Sequence, residues 1–251
     1  MKTKKNMILR LTIAIVVLVP ALIFAAMTAE EVIRKMEKNQ VHQTATSTGR
    51  LVITNRFGTK VKTFNVWTEG SDKMLIEFTN KEERGQKILR LADEIYVYYP
   101  KAEGVVRLQG GALKESIFGS DFTYEDLTGE KGFLDLYTVA FAASGTVEVE
   151  GVSCWHLKLS GKKPVAYPFQ ELWVDAEKFV MRKAVYYALN NTALKELTVE
   201  ETMTRKGKIF PSRFLMRDLL RQNSTTEFIL ETIQIDVPLP ANQFSLERLK
   251  F

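Results

Sequence analysis

Cysteine and histidine are nearly missing from this 251-residue chain, which has one cysteine, Cys154, and two histidines, His42 and His156. A single cysteine excludes an intramolecular disulfide, and its place far from the N-terminus excludes a lipid-modified N-terminal cysteine. The usual zinc set needs more ligands than these, and no spacing supplies carboxylates to complete it. A Gly-x-Ser-x-Gly elbow, a phosphate loop and a dinucleotide fingerprint are also lacking. No catalytic residue, metal or cofactor is therefore expected, and enzymatic activity is disfavoured. After residue 26 no apolar run is long enough to span a bilayer, so the chain from Met27 onward should be soluble. Repeats, low-complexity runs and linkers are absent too, which makes residues 27–251 one expected domain.

What is present begins with Lys2, Lys4, Lys5 and Arg10, followed by an apolar run from Leu11 to Ala26 broken only by Thr12 and Pro20. A basic segment followed by a short apolar one is the pattern of a secretory signal peptide, expected over residues 1–26. Pro20, Ala25 and Ala26 favour cleavage, whereas bulky Ile23 and Phe24 blur the cut, and an uncleaved anchor is the alternative. Four positive charges and no acidic residue precede Met27, so the formal net charge of +5 falls to +1 beyond it. The basic composition therefore belongs to the leader, and a nucleic-acid partner is not expected.

Val32, Ile33, Met36 and Val41 recur at helical spacing within Glu30 to Val41, with acids in front and lysines behind, as a helix dipole favours. The period then changes to two. Leu51 and Ile53, Phe64 and Val66, Met74, Ile76 and Phe78, and Ile95, Val97 and Tyr99 alternate with polar or mixed neighbours. Short turn-rich links at 55–60, 69–72 and 101–104 favour antiparallel neighbours, because a parallel pair needs a long crossover. The alternation breaks between Gly110 and Leu136, where short helices are expected. It resumes at 146–149, 155–159, 170–174, 179–187, 194–203, 208–216 and 226–235. The expectation is a mainly β (α+β) fold of about eleven antiparallel strands, which must curl, split or close to bury an apolar face.

The segment Gly119-Ser120-Asp121-Phe122-Thr123-Tyr124-Glu125-Asp126-Leu127 resembles the signature of the outer membrane lipoprotein-sorting family, the LolA-like periplasmic carriers. Ile95 to Pro100 followed by Val106-Arg107-Leu108 resembles the family's strand that ends in proline and returns through a basic residue. Glu171-Leu172-Trp173-Val174-Asp175 with Phe179 to Lys183 is similar to its Trp-x-Asp hairpin, and Lys208 to Asp218, with Pro211, Phe214 and Met216, to the next one. The resemblance implies a strongly curved, unclosed antiparallel half-barrel covered by short helices. It implies a periplasmic protein that holds acyl chains of lipoproteins or other lipids on the way to the outer membrane. An inner-membrane transporter of the resistance-nodulation-division or ABC type is the implied partner, and a monomer is expected. The alternative within the same fold is a lipid-sensing module that binds a membrane signalling protein or a transporter.

An acyl carrier needs an apolar enclosure. Candidate lining residues are Phe64, Val66, Met74, Ile76, Phe78, Ile95 and Val97 from the early strands and Leu113, Ile117, Phe118 and Phe122 from the helical segment. The same residues would equally fill a solid core. Met181 and Met216 are either adaptable cargo contacts or ordinary gap-fillers. Ser120 or Asp121 is placed to cap a short helix, a stronger reading than an Asp121–Asp126 acid/base pair. Cys154 and His156 share one face of a strand, but no third group completes a nucleophilic site. Arg205, Lys206 and Lys208 mark a hairpin tip, solvated or facing anionic headgroups.

Overall fold

The computed structural model describes residues 27–40, 42–92, 94–128, 132–221 and 223–250. The leader assigned to residues 1–26 and the helical position Val41 lie outside them.

Helix α1 (Ala29–Gln40) opens on a capping box. Thr28 Oγ1 accepts the Glu31 N–H at 3.2 Å, and the Glu31 carboxylate accepts the Thr28 N–H at 2.8 Å, so two otherwise unpaired donors of the first turn are satisfied. Val32, Ile33 and Met36 are buried, as their spacing requires.

Six strands follow: β1 (Thr44–Asn55), β2 (Gly58–Glu69), β3 (Lys73–Phe78), β4 (Lys87–Leu91), β5 (Glu94–Tyr99) and β6 (Gly104–Leu108). After the short helices α2 (Tyr124–Thr128) and α3 (Phe133–Leu136) come β7 (Tyr137–Val149), β8 (Val152–Gly161), β9 (Phe169–Asp175) and β10 (Met181–Tyr187). The last three are β11 (Ala193–Arg205), β12 (Lys208–Asp218) and β13 (Thr225–Ile235). All thirteen form one sheet in the order β6-β5-β4-β3-β2-β1-β13-β12-β11-β10-β9-β8-β7, every neighbouring pair antiparallel.

That order is two meanders. The first winds outward from β1 to the edge β6; the second starts at the opposite edge, β7, and winds inward until β13 pairs with β1. The chain between β6 and β7 must therefore travel from one edge of the curved, unclosed sheet to the other. It does so with α2 and α3; Ile117 and Phe122 ahead of α2 and Tyr124 at its start join α1 and one face of the central strands in the main core. The helices cover the face that the sheet cannot bury by closing.

The thirteen strands exceed the eleven expected, and the additional ones are β4 and β6. In β4, Ile88 and Leu89 are adjacent and both buried, Ile88 in the main core and Leu89 in an outer one, so no alternation shows. In β6, Val105 and Val106 are likewise adjacent. Strand β7 begins at Tyr137 rather than at 146, because its pairing with β8 is interrupted between Phe141 and Thr146, where Ala142-Ala143-Ser144-Gly145 breaks the period. The outer core packs Phe244 and Leu249 of the C-terminal segment against Leu75 and Leu89, across the sheet from the helices. Among the described residues no helix is long and apolar enough to cross a membrane.

Candidate functional site

An apolar cavity of about 340 Å³ opens on the helix-covered face where the two meanders join, near the C-terminal end of α1. Its lining includes Ala45, Ser47 and Thr68 from β1 and β2, and Leu230 and Ile233 from β13. Met181, Leu197 and Val199 from β10 and β11, with Phe210, Pro211 and Phe214 from β12, complete the apolar wall, and His42 stands at the rim. The register explains the convergence: Ala45 lies opposite Thr68 on one side and Ile235 on the other, Ser47 opposite Ile233, and Val199 opposite Phe214. Among the described residues, none that lines it is an acid, lysine or arginine. The polar groups sit together, with His42 Nε2 3.1 Å from Thr68 Oγ1.

Gly49 shapes this junction. A Cβ there would lie 2.6 Å from the Ile229 carbonyl and 3.1 Å from the Phe64 ring, and the β1–β13 register shifts between Thr48 and Gly49. The missing side chain lets a bulge form with the phenyl ring packed over it. From Phe64 a run of aromatic contacts crosses the covered face. Phe118 meets Phe78 at 4.7 Å, Phe78 meets Phe64 at 6.1 Å and Phe64 meets Phe228 at 5.4 Å. Phe228 stacks on Phe214 at 4.6 Å, and Phe214 meets Phe122 at 6.0 Å. These offset and edge-on pairs stitch both meanders to the helical cover.

All eleven candidate lining residues lie in this region. Phe64, Ile76, Phe78, Ile95, Val97, Ile117 and Phe122 are buried in the main core, and Val66, Met74, Leu113 and Phe118 pack against it partly buried. None of them lines the cavity, which belongs to β1, the end of β2 and the second meander. Of the two methionines, Met181 lines it and Met216 is buried in the core. Sequence reasoning passed over Phe210, Leu230 and Ile233. Their signal was present in the apolar positions of β12 and β13, but the bulge between Leu230 and Ile233 puts those two out of step.

Two clamps fix the cover over the sheet. Thr226 Oγ1 donates to Asp121 Oδ2 at 2.8 Å and accepts the Asp121 N–H at 2.8 Å, with both residues buried. Asp126 is held by Lys195 Nζ, by the Tyr167 hydroxyl at 2.7 Å and by the Thr123 N–H at 2.8 Å. The N-cap of α2 is Thr123, whose Oγ1 accepts the Asp126 N–H at 3.3 Å, and not Ser120 or Asp121. Ser120 instead bonds within its own turn, to Phe122, while Asp121 is turned to the sheet. Burial, with the Asp126 charge adding to it, raises the Glu125 pKa above the ordinary carboxylate value. Both aspartates of the imagined acid/base pair are engaged in these structural bonds.

Cys154 and His156 do share the outer face of β8. Burial pushes the Cys154 thiol up to about 11, the Asp175 charge adding to the shift, so it is not poised as a nucleophile. His156 stacks on Trp173 at 4.2 Å and meets Glu171 at 2.9 Å. Among the described residues no three His, Cys, Asp or Glu side chains are grouped to hold a metal.

With that geometry in place, three solved structures share the architecture. A DUF1329 family protein from Desulfovibrio piger superposes with a TM-score of 0.81 at 22% identity, covering 88% of this chain and 97% of its own. A putative outer membrane lipoprotein-sorting protein domain from Vibrio parahaemolyticus gives 0.79 at 18%, covering 89% and 100%. A LolA superfamily protein from Nitrosomonas europaea gives 0.74 at 20%, again covering 89% and 100%. No curated protein matches the chain. A family model described as that of an uncharacterized protein matches residues 70–251; the chain belongs to that family and has the unclosed, helix-covered sheet of the LolA-like fold.

Proposed function

We propose that this protein carries hydrophobic cargo, the acyl chains of lipoproteins or of other lipids, across the periplasm toward the outer membrane. The observation that carries the reading is the cavity itself: about 340 Å³ on the covered face of an unclosed sheet, with no acid, lysine or arginine among the described residues that line it. Each methylene removed from water there contributes about 0.8 kcal/mol, so even part of one acyl chain supplies useful affinity. The fold shared with a lipoprotein-sorting domain and the leader read from residues 1–26 support both the cargo class and the compartment. In this reading a longer chain reaches Phe64, Phe118 and the other early-strand and cover residues when the segment around Asp121 lifts from the sheet. The transporter partner and the monomeric state are expectations of the family resemblance.

Delipidated protein titrated with a fluorescent fatty-acid probe tests the proposal. Saturable binding is expected, weakened about tenfold by Ser47→Phe, which fills the cavity, and unchanged by Val61→Phe on the outer face of β2. A parent protein that takes up no probe, and yields no lipid on extraction from its native envelope, would refute it.

A further inference from the structure

The end of the sheet away from the cavity has a second apolar feature that the carrier reading does not use. The hairpin pairs β2–β1, β13–β12 and β11–β10 stand side by side in the sheet, and their turns all point to the same end. Each turn carries a large apolar side chain in water: Phe57 is 80% exposed, Leu220 65% and Leu189 77%. Registers place the tips at similar heights, since Thr54 pairs with Thr225, Met216 with Thr226, Glu196 with Arg217 and Val185 with Glu196. With strands about 4.8 Å apart, successive tips are about 10 Å from one another.

We propose that these three hairpin tips dock the protein on a membrane surface containing anionic phospholipid. Three separated apolar points rising from polar turns do not make the continuous packed patch that a protein interface requires. They suit an interface into which each side chain dips independently, as aromatic and aliphatic residues do at the headgroup level. The charges around them fit the same partner. Exposed Arg56 lies over the Phe57 ring, 4.6 Å from its centre, and exposed Lys60 follows in the same hairpin. The only acid within these turns and their flanking ends is Asp218, which is 3.5 Å from Arg221, and the Leu189 turn is uncharged. A basic side chain beside an anionic bilayer adds attraction that salt weakens. Docked this way, the molecule stands with its cavity mouth turned away from the bilayer, open to a partner in the aqueous space.

Among the described residues the core clusters and their packed neighbours run from Met27 to Leu249 and every strand lies from Thr44 onward, so the chain from Met27 onward carries the complete sheet and is the form to test. It should float with vesicles of phosphatidylethanolamine and phosphatidylglycerol, and more weakly with phosphatidylcholine alone or in high salt. Combined Phe57→Ser, Leu189→Ser and Leu220→Ser should lower binding about a hundredfold with an unchanged melting temperature, and Arg56→Gln about fivefold. Ser47→Phe should float like the parent, which separates docking from cargo uptake. The proposal fails if the parent does not float, if the triple variant floats equally well, or if that variant loses only the capture of a soluble protein.

Discussion

Burial on β8 fixes the chemistry of Cys154: desolvation first, then the neighbouring Asp175 charge, raise its pKa from 9.0 to about 11. A thiol whose folded pKa lies above its unfolded one binds its proton more tightly in the fold. Its contribution to stability is complete below pH 9 and is lost as pH rises toward 11. Iodoacetamide at pH 9 should therefore alkylate the native protein at least about fiftyfold more slowly than the urea-unfolded chain. Equal rates, followed by mass spectrometry, would show an accessible thiolate. The strand period had put Cys154 and His156 on one face correctly, because alternation is a property of the backbone. What it could not convey was the partner each would choose. His156 lies against Trp173 and Glu171, neighbours brought by β9 and set by register alone. The role of Gly49 was equally hidden, since its meaning depends on a ring and a carbonyl from two other strands.

The α2 clamp shows how an element too short to be stable alone is held in place. Lys195 and Asp126 form an ion pair with side chains only 9% and 5% exposed. Removing one partner leaves the other charge buried without its counterpart, whereas removing both does not. Lys195→Met should lower stability by about 3 kcal/mol in urea unfolding, and adding Asp126→Asn should recover a substantial part of that loss. If the double variant is no more stable than Lys195→Met, the pair is not the main anchor of the cover. Elements with one clean apolar face were legible beforehand: α1 through Val32, Ile33 and Met36, and β1 through Leu51 and Ile53. Strand β4 was not, because Ile88 serves the main core and Leu89 the outer one, and a strand buried on both faces has no period to read. The cavity wall on β12 and β13 was legible as strands. Its identity as the cavity was not, because the hollow exists only where the two meanders meet.

Across the whole molecule, the two meanders are covered differently. The first carries the C-terminal segment on its outer face, where Phe244 and Leu249 pack on Leu75 and Leu89. Lys87 is drawn into this contact, its ammonium donating to the Arg248 carbonyl at 3.2 Å, and burial lowers its pKa. The outer face of the second meander instead carries charged ladders such as Arg213 with Glu200 and Glu227, and Lys183 with Glu196. The outer core therefore stabilises the half of the sheet that does not line most of the cavity. Truncating its buried anchor, Leu249→Ala, should cost about 2–4 kcal/mol of global stability. Hydrogen exchange should show the loss of protection concentrated in β3 to β5, with β11 to β13 changed less and fatty-acid probe affinity retained. Uniform loss of protection across both meanders would mean that the sheet opens as one unit. In that case the tail would steady the cavity as well, through the β1–β13 seam where strands from the two ends of the chain meet.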